Sequence, residues 1–315
     1  MPSRIDLLPT DKILITGGTG LVGGALSSRL TKSGFVNVTS LGSRDCNLLN
    51  SSAVEDLFAE LKPDYVFHMA ARVHGLGGNA KYKSDVLVEN TIMNINVIEA
   101  SRKHEVKKIV AMGSGCVYPD LQNTEELFEE YVFNGSPHPS EDSYGHSKRL
   151  MLSHLEAART QYGLNSAFVI SGNMYGPGDS FNIEDGHVIP SLISKFFKAR
   201  ESGTSVKVWG SGVAIRDFTH ADDMARALEI IMTSAEGHIN AGSGYRHAIR
   251  DIVEILQALT GVDVEWQTEK PDGQLVRYYN LDKLQELGFK PEIQLGDGVP
   301  ATFEWFENNY PNTRN

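Results

Sequence analysis

An apolar strand that runs straight into a glycine-rich turn restricts the folds open to this chain more than any other feature of its sequence. Ile13-Leu14-Ile15-Thr16 leads into Gly17-Gly18-Thr19-Gly20-Leu21-Val22-Gly23, so the glycines fall where a strand gives way to an amphipathic stretch. Glycines at such a junction permit a tight turn, let backbone amides approach a pyrophosphate and allow the helix to pack closely on the sheet. The helix N-terminus adds the positive end of its dipole. The pattern predicts a dinucleotide site with Gly17, Gly20, Leu21, Val22 and Gly23 as cofactor-binding residues.

The rest of the first half fits that junction. Short β-branched runs at Lys12–Thr16, Asn37–Leu41, Tyr65–His68, Lys108–Met112 and Ser166–Ile170 alternate with helical patterns near Leu21–Ser33, Ala53–Leu61, Leu87–His104 and Tyr144–Tyr162. Strands alternating with helices predict an α/β fold with a doubly wound parallel Rossmann sheet, whose ligands sit at the carboxyl ends of the strands. After Ile170 the chain is punctuated by glycine and proline. Helices are expected near Pro190–Ala199, Asp222–Thr233, Arg250–Thr260, Leu281–Leu287 and Ala301–Asn309, and short strands at Val206–Trp209 and Phe218–His220. The expected division is a dinucleotide-binding domain over 1–172 with a return near 214–245, and a smaller substrate-binding lobe from 173–213 and 246–315. No internal repeat or low-complexity tract is present.

Charge and cysteine content exclude several functions. With 29 basic and 40 acidic residues the formal net charge is −11, which repels a polyanion, so nucleic acid is not an expected partner. No apolar run suits a membrane span or a signal peptide, and a cytosolic protein is expected. The two cysteines, Cys46 and Cys116, make no disulfide framework and offer no paired ligand spacing, so no metal site is expected.

Cofactor type is read at the end of the second strand, where an NAD enzyme usually places an acid against the ribose hydroxyls. Here Ser40-Leu41-Gly42-Ser43-Arg44 stands instead. Small residues leave room and Arg44 offers a bidentate fork to a 2′-phosphate, favouring NADP; the alternative is that Arg44 simply pairs with Asp45. Further on, Tyr144 and Lys148 lie four apart at the start of a helix and so share a face. A neighbouring cation stabilises phenolate and is expected to lower the Tyr144 pKa, suiting it to proton transfer during reduction of a carbonyl. Ser114, just past the fourth strand, can bond the same carbonyl oxygen.

Strand end, hydroxyl, then helix-borne Tyr and Lys is the order of the short-chain dehydrogenases. The chain resembles the GDP-L-fucose synthase family of extended short-chain dehydrogenases/reductases over nearly its whole length. The specific segments are Asn47-Leu48-Leu49, His68 to Asn79, Gly113 to Pro119, Tyr144 to Lys148, Asn173 to Pro177, Phe181 to Pro190, Val208 to Gly212, Arg216-Asp217-Phe218 and Lys270 to Gly273. The resemblance implies NADPH-dependent 3,5-epimerisation and 4-keto reduction of a GDP-4-keto-6-deoxy sugar. It implies Cys116 and His187 as the epimerising acid and base beside Ser114, Tyr144 and Lys148, a thiol and an imidazole both being tunable towards neutrality. It further implies that Asn47, Leu48, Ala70, Ala71, Asn173, Met174 and His187 join the NADP(H) site. Asn173, Val188, Lys195, Trp209, Arg216 and Lys270 are then the residues facing the nucleotide sugar. A homodimer formed through the helices flanking Tyr144 is also implied, with Leu150 to Leu155 supplying apolar positions.

The nucleotide-sugar dehydratases of this fold carry an Asp-Glu pair after the hydroxyl residue; Gly115 and Cys116 stand there, which disfavours dehydration. Three departures from the family pattern concern the sugar. His74 replaces the first of two glycines, Ser171-Gly172-Asn173 replaces Pro-Thr-Asn, and Gln274-Leu275-Val276-Arg277 stands where a Pro-Arg-Lys triplet is usual. Gly172 in place of Thr is expected to enlarge the pocket. That leaves open a C4-reductase of a heptose or dideoxy nucleotide sugar without full epimerase activity.

Overall fold

Alternate residues of the first strand, β1 (Lys12–Thr16), divide the interior in two: Ile13 and Ile15 enter one apolar core and Leu14 the other, as the period-two geometry of a strand requires. In the computed structural model, which describes residues 4–73, 81–120, 126–184, 186–270, 272 and 274–314, β1 lies inside a six-stranded sheet. Its companions are β2 (Asn37–Leu41), β3 (Tyr65–His68), β4 (Lys108–Met112), β5 (Ser166–Ser171) and β10 (Gly237–Ala241), and the order across the sheet is β10-β5-β4-β3-β1-β2. Every pairing in it is parallel. The chain steps outwards from β1 to β2, then crosses to β3 and continues to the opposite edge. The switch point where ligands bind in such sheets therefore falls at the carboxyl ends of β1 and β3.

Parallel strands need crossover connections, and these cover both faces. On one face lie α1 (Leu21–Lys32) and α6 (Ala221–Ser234), whose Leu26, Leu30, Leu228 and Ile231 are fully buried against the sheet. Side chains of this kind contribute roughly 1.5–3 kcal/mol each. On the other face lie α2 (Ser51–Leu61), α3 (Lys83–Lys103) and α4 (Asp142–Tyr162), burying Phe58, Val97, Met151 and Leu155. Lys108 opens β4 with a buried ammonium that donates to the carbonyls of Ile231, Met232 and Ala235. It thereby satisfies the carboxyl end of α6 and complements that end of the helix dipole.

The smaller lobe has its own core. Helices α5 (Val188–Ser202), α7 (Ile249–Thr260) and α9 (Leu295–Asn309) enclose Ile193, Phe196, Leu256, Val299, Phe303 and Phe306. Around them stand the pairs β7 (Val206–Trp209) with β12 (Val264–Gln267) and β6 (Asn173–Tyr175) with β9 (Phe218–His220), together with a three-stranded sheet of β11 (His247–Ala248), β8 (Ile215–Arg216) and β13 (Val276–Arg277). A short helix, α8 (Asp282–Glu286), lies between β13 and α9.

The expected strands of the first half are present, and three findings differ from the sequence reading. Strand β10 escaped notice because its His238 and Asn240 interrupt the apolar pattern, yet Asn240 is fully buried. It accepts from Tyr118 Oη at 2.5 Å and donates to the carbonyls of Leu127 and Asn280, the satisfaction a buried amide requires. Helix α9 starts at Leu295 rather than near Ala301, because Gly296, Gly298 and Pro300 disguise its first turns. The stretch 279–289, assigned wholly to the smaller lobe, returns to the sheet: Tyr279 and Leu281 join one core there and Leu284 and Phe289 the other. Among the described residues no helix is long and apolar enough to cross a membrane.

Candidate active site

At the end of β1 the turn is pressed between two neighbouring strands. Gly17 adopts φ +70°, and a Cβ there would lie 2.6 Å from the amide nitrogen of Ala70 at the end of β3. A Cβ on Gly18 would lie 1.9 Å from Ser40 Oγ at the end of β2, and one on Gly23 would lie 2.3 Å from the Gly17 carbonyl oxygen. The backbone contacts at Gly17 and Gly23 admit only glycine, and they hold the N-terminus of α1, capped by Gly20 in extended backbone, open over the switch point. Val22 is buried in the core beneath, whereas Leu21 is only partly covered. Beyond β3, Ala70 and Ala71 lead into Arg72, whose backbone amide donates to Asn90 Oδ1 and whose carbonyl accepts from Asn90 Nδ2. His74, where the family pattern breaks, lies outside the described residues.

Past β2, Asp45 turns its carboxylate back to accept from the Gly42 amide at 2.7 Å. Arg44 is exposed and forms no ion pair among the described residues, so the alternative pairing with Asp45 is not formed. Asn47 accepts from the Leu49 amide and the Leu48 carbonyl accepts from Asn96, which shapes the loop beside this end of the sheet.

The second cluster forms past β4. Gly113 packs so tightly on Phe168 that a Cβ would stand 2.4 Å from the ring. Ser114 then caps a short 3-10 turn over Gly115–Val117, its Oγ accepting from the Cys116 amide at 3.3 Å and donating to Cys116 Sγ at 3.2 Å. Helix α4 presses on this turn at Gly145, where a Cβ would lie 2.3 Å from the Cys116 carbonyl oxygen. That contact sets Tyr144 and Lys148 beside Ser114 and Cys116. The Lys148 ammonium, 1% exposed, donates to the Met112 carbonyl and lies 5.6 Å from the centroid of the Tyr144 ring.

Burial governs the proton affinities here. It brings Lys148 down to about 7, against a weaker opposing pull from Cys116. It brings His68, which bonds Thr16 and Asn94 behind Lys148, down to about 3, with the Lys148 charge assisting. For Tyr144 the expected lowering is overturned: burial first, then Cys116 and Glu141, push the phenol above its ordinary value. Removing the ring from water outweighs an ammonium that is engaged with a carbonyl.

Two residues given no role from the sequence complete the cluster. Glu141, at the N-terminal cap of α4, is ion-paired with Arg277 of β13 at 2.5 Å and lies close enough to Cys116 for each to shift the other's proton affinity. Burial would raise its carboxyl, but Arg277 and the thiol outweigh it and hold the group below its usual value. The Cys116 thiol is pushed up to about 12, by burial and then by Glu141. Arg277 lies in register with Arg216 on β8, so two guanidinium groups stand side by side. Burial and then the Arg277 charge lower the Arg216 pKa, and a neighbouring anion would relieve both effects.

Tyr279 also faces this cluster. A Cβ on Gly115 would lie 2.0 Å from its hydroxyl and one on Gly172 would lie 2.9 Å from its ring. The room that Gly172 was expected to open is therefore filled by Tyr279, and the enlarged pocket is not formed. Asn173 and Met174 follow in β6, with the Asn173 amide bound to the Asp217 carbonyl.

The remaining expected residues lie on other elements. His187 is exposed, caps α5 at Val188, and makes no hydrogen bond to Ser114, Cys116, Tyr144 or Lys148 among the described residues. Its field opposes the upward push of burial on the Asp179 carboxyl, one oxygen of which is buried without a partner among the described residues. Trp209 is 69% exposed, with the Lys270 ammonium 5.9 Å from its ring centroid. Asp272 pins these two arms together by accepting from the Ser211 amide and hydroxyl. Lys195, half-buried on α5, shares a shallow hollow with Lys198 and Lys207.

The NAD dependent epimerase/dehydratase family matches residues 13–242. GDP-L-fucose synthase 1 of Arabidopsis thaliana is 33% identical over 306 residues, covering 96% of this chain and 94% of that one. A GDP-L-fucose synthetase from Naegleria fowleri bound to NADP superposes with a TM-score of 0.92 at 31% identity, covering 100% of this chain and 98% of the other. A GDP-D-glycero-L-gluco-heptose synthase from Campylobacter jejuni, solved in the presence of NADPH, superposes with a TM-score of 0.88 at 29% identity over 96% of this chain and 100% of its own.

Proposed function

The chain belongs to the NAD dependent epimerase/dehydratase family, and from that premise we propose that it is an NADPH-dependent epimerase and reductase of the GDP-L-fucose synthase type. It inverts carbons 3 and 5 of a GDP-4-keto-6-deoxy sugar and then reduces the 4-ketone. The observation that carries this reading is the thiol of Cys116 standing 3.2 Å from Ser114 Oγ, in the same buried cluster as Tyr144 and Lys148. A plain reductase has no use for an acid–base group at that point.

The glycine cradle over the switch point fits a dinucleotide pyrophosphate, and Arg44, free of a carboxylate partner among the described residues, fits a 2′-phosphate. Leu48, Ala70, Ala71 and Met174 are read as further contacts of the cofactor. When bound there, NADPH would supply the hydride for carbon 4. Tyr144, its pKa raised, is a phenol at neutral pH and donates its proton to the carbonyl oxygen, while Ser114 holds that oxygen. Lys148 anchors the geometry through Met112. Cys116 and His187 exchange protons on the two faces of the sugar carbons, and Arg216, Lys270 and Trp209 bind the nucleotide diphosphate.

The reading with an enlarged pocket for a heptose loses its physical support once Tyr279 occupies the space beside Gly172. NADPH oxidation measured against a panel of 4-keto nucleotide sugars tests the choice. GDP-4-keto-6-deoxymannose should be the best substrate, and faster turnover of a heptose would contradict it.

We also propose a cytosolic homodimer. Val88, Ile92 and Ile95 of α3 and Leu150 of α4 leave apolar side chains exposed on the helices that flank the catalytic cluster, a surface suited to a second copy. Equilibrium sedimentation should give twice the chain mass.

A further inference from the structure

The glycines spaced three apart in the dinucleotide turn are not alike. Gly17 and Gly23 face neighbouring backbone that a Cβ would strike, so packing alone accounts for them. Gly20 is different. Among the described residues a Cβ there would meet the Gly17 carbonyl oxygen of its own turn at 3.2 Å and, at 3.7 Å, Nη1 of Arg314. The middle glycine of such a turn is the one whose missing side chain lets the backbone approach a pyrophosphate. A guanidinium therefore stands at the face the pyrophosphate needs.

The backbone of Arg314 is fixed to the smaller lobe. Past α9, Tyr310 packs on Phe197 and Phe306 with ring centroids 4.9 and 5.6 Å away, and the Asn312 amide donates to the Asn309 carbonyl at 2.8 Å. The Arg314 carbonyl then accepts from the amide of Phe181 at 2.9 Å, and the Phe181 ring is buried against Phe306. The guanidinium itself is exposed and forms no ion pair among the described residues. Asp179, whose carboxyl feels the Arg314 charge, commits one oxygen to the Ser180 amide at 2.7 Å and keeps the other buried without a partner among the described residues, so it does not capture the arginine. A pyrophosphate brings two negative charges against roughly half a positive charge at a helix N-terminus. Residues 16–24 contain neither Lys nor Arg, so the turn cannot supply the balance from its own side chains.

Resting on the cofactor reading above, we propose that Arg314 is a cofactor-binding residue, presented by the smaller lobe, whose guanidinium forks onto the pyrophosphate of NADP(H) at Gly20. The pyrophosphate is then held from two sides, by the amides that open α1 and by Arg314. Two arginines divide the recognition of the dinucleotide. Arg44 reads the 2′-phosphate and so separates NADPH from NADH, whereas Arg314 reads the pyrophosphate that both carry.

Dissociation constants for three probes test this: NADPH and NADH by cofactor fluorescence, and adenosine 2′-monophosphate, which lacks a pyrophosphate, by calorimetry. Arg314→Ala keeps the main-chain bond to Phe181 and should weaken NADPH and NADH alike, about tenfold each, as the loss of one charge-assisted contact does. Arg314→Glu turns attraction into repulsion and should weaken both further, by at least about thirtyfold in all. Adenosine 2′-monophosphate should bind the unaltered protein and both variants within about threefold, since it offers Arg314 no partner. Dinucleotide affinities within about twofold of the unaltered protein in Arg314→Ala, where one charge-assisted contact predicts tenfold, would overturn the assignment. A loss confined to NADPH, or one shared by adenosine 2′-monophosphate, would also overturn it. Equal losses in the two variants would mark a structural role and overturn it as well. Failure of the unaltered protein to bind either dinucleotide would instead overturn the cofactor reading on which the proposal stands.

Discussion

The two ends of the candidate site are built from different materials. Over β1, β2 and β3 the dinucleotide end is made of backbone: a Cβ on Gly17 or Gly23 would stand within 2.6 Å of neighbouring backbone atoms, which leaves no room for one. Past β4 the catalytic end is made of buried and half-buried ionisable side chains, with Cys116, Glu141, Tyr144, Lys148 and Arg277 perturbing one another. Shape governs the first end and electrostatics the second. Substitutions at the first should alter affinity and stability; substitutions at the second should alter rate.

The sharpest separation comes from Tyr144→Phe. Loss of the phenolic proton should lower turnover about 10³-fold, within the range for a general acid, while leaving the dissociation constant for NADPH, read by cofactor fluorescence, within about threefold. A comparable loss of affinity would show that the two ends are not independent.

At the other end, Gly17→Ala places a methyl against the Ala70 backbone in a left-handed conformation. It should destabilise the protein by roughly 1–3 kcal/mol and weaken NADPH binding, both visible in thermal melts with and without cofactor. Unchanged melts would break the claim that glycine is needed there.

Much of the backbone-made end was legible because glycines, strand and helix are contiguous between Ile13 and Gly23, and local sequence carries that signal. The catalytic end was legible only in part. Ser114, Cys116, Tyr144 and Lys148 sit in short recognisable runs, but Glu141 and Arg277 lie far apart in sequence and meet only in the folded chain. In the sequence Arg277 stands out only as a break in the family pattern. Similarly, the void expected at Gly172 depended on where Tyr279 would fall, and nothing in the neighbouring residues announces that. β10 was hidden by a buried polar residue, Asn240, whose partners come from three other segments.

The electrostatic end should also be visible in the pH dependence of stability. Lys148 is protonated up to about 7 in the folded protein and up to about 10.4 when unfolded. The unfolded state therefore binds more protons between those values, and stability must rise with pH across that window. Before cofactor is added, Lys148 alone should contribute on the order of 2 kcal/mol of added stability between pH 7 and 9, and Lys148→Met should reduce the rise by that amount, leaving the share of Lys108, which burial lowers to about 8. A Tm that falls over this range would contradict a desolvated lysine.

The smallest effect belongs to the edge of the dinucleotide end. Arg44→Ala should weaken NADPH binding about tenfold, close to 1.4 kcal/mol and typical of one charge-assisted contact, with NADH binding unchanged. Equal losses for both cofactors would remove Arg44 from the 2′-phosphate.

The central claim is that one buried cluster both exchanges protons beside the ketone and reduces it. Turnover of GDP-4-keto-6-deoxymannose with NADPH in D2O tests this in a single product. Deuterium at both C3 and C5 of a reduced sugar is the predicted result, and a reduced sugar without deuterium at those carbons would contradict it.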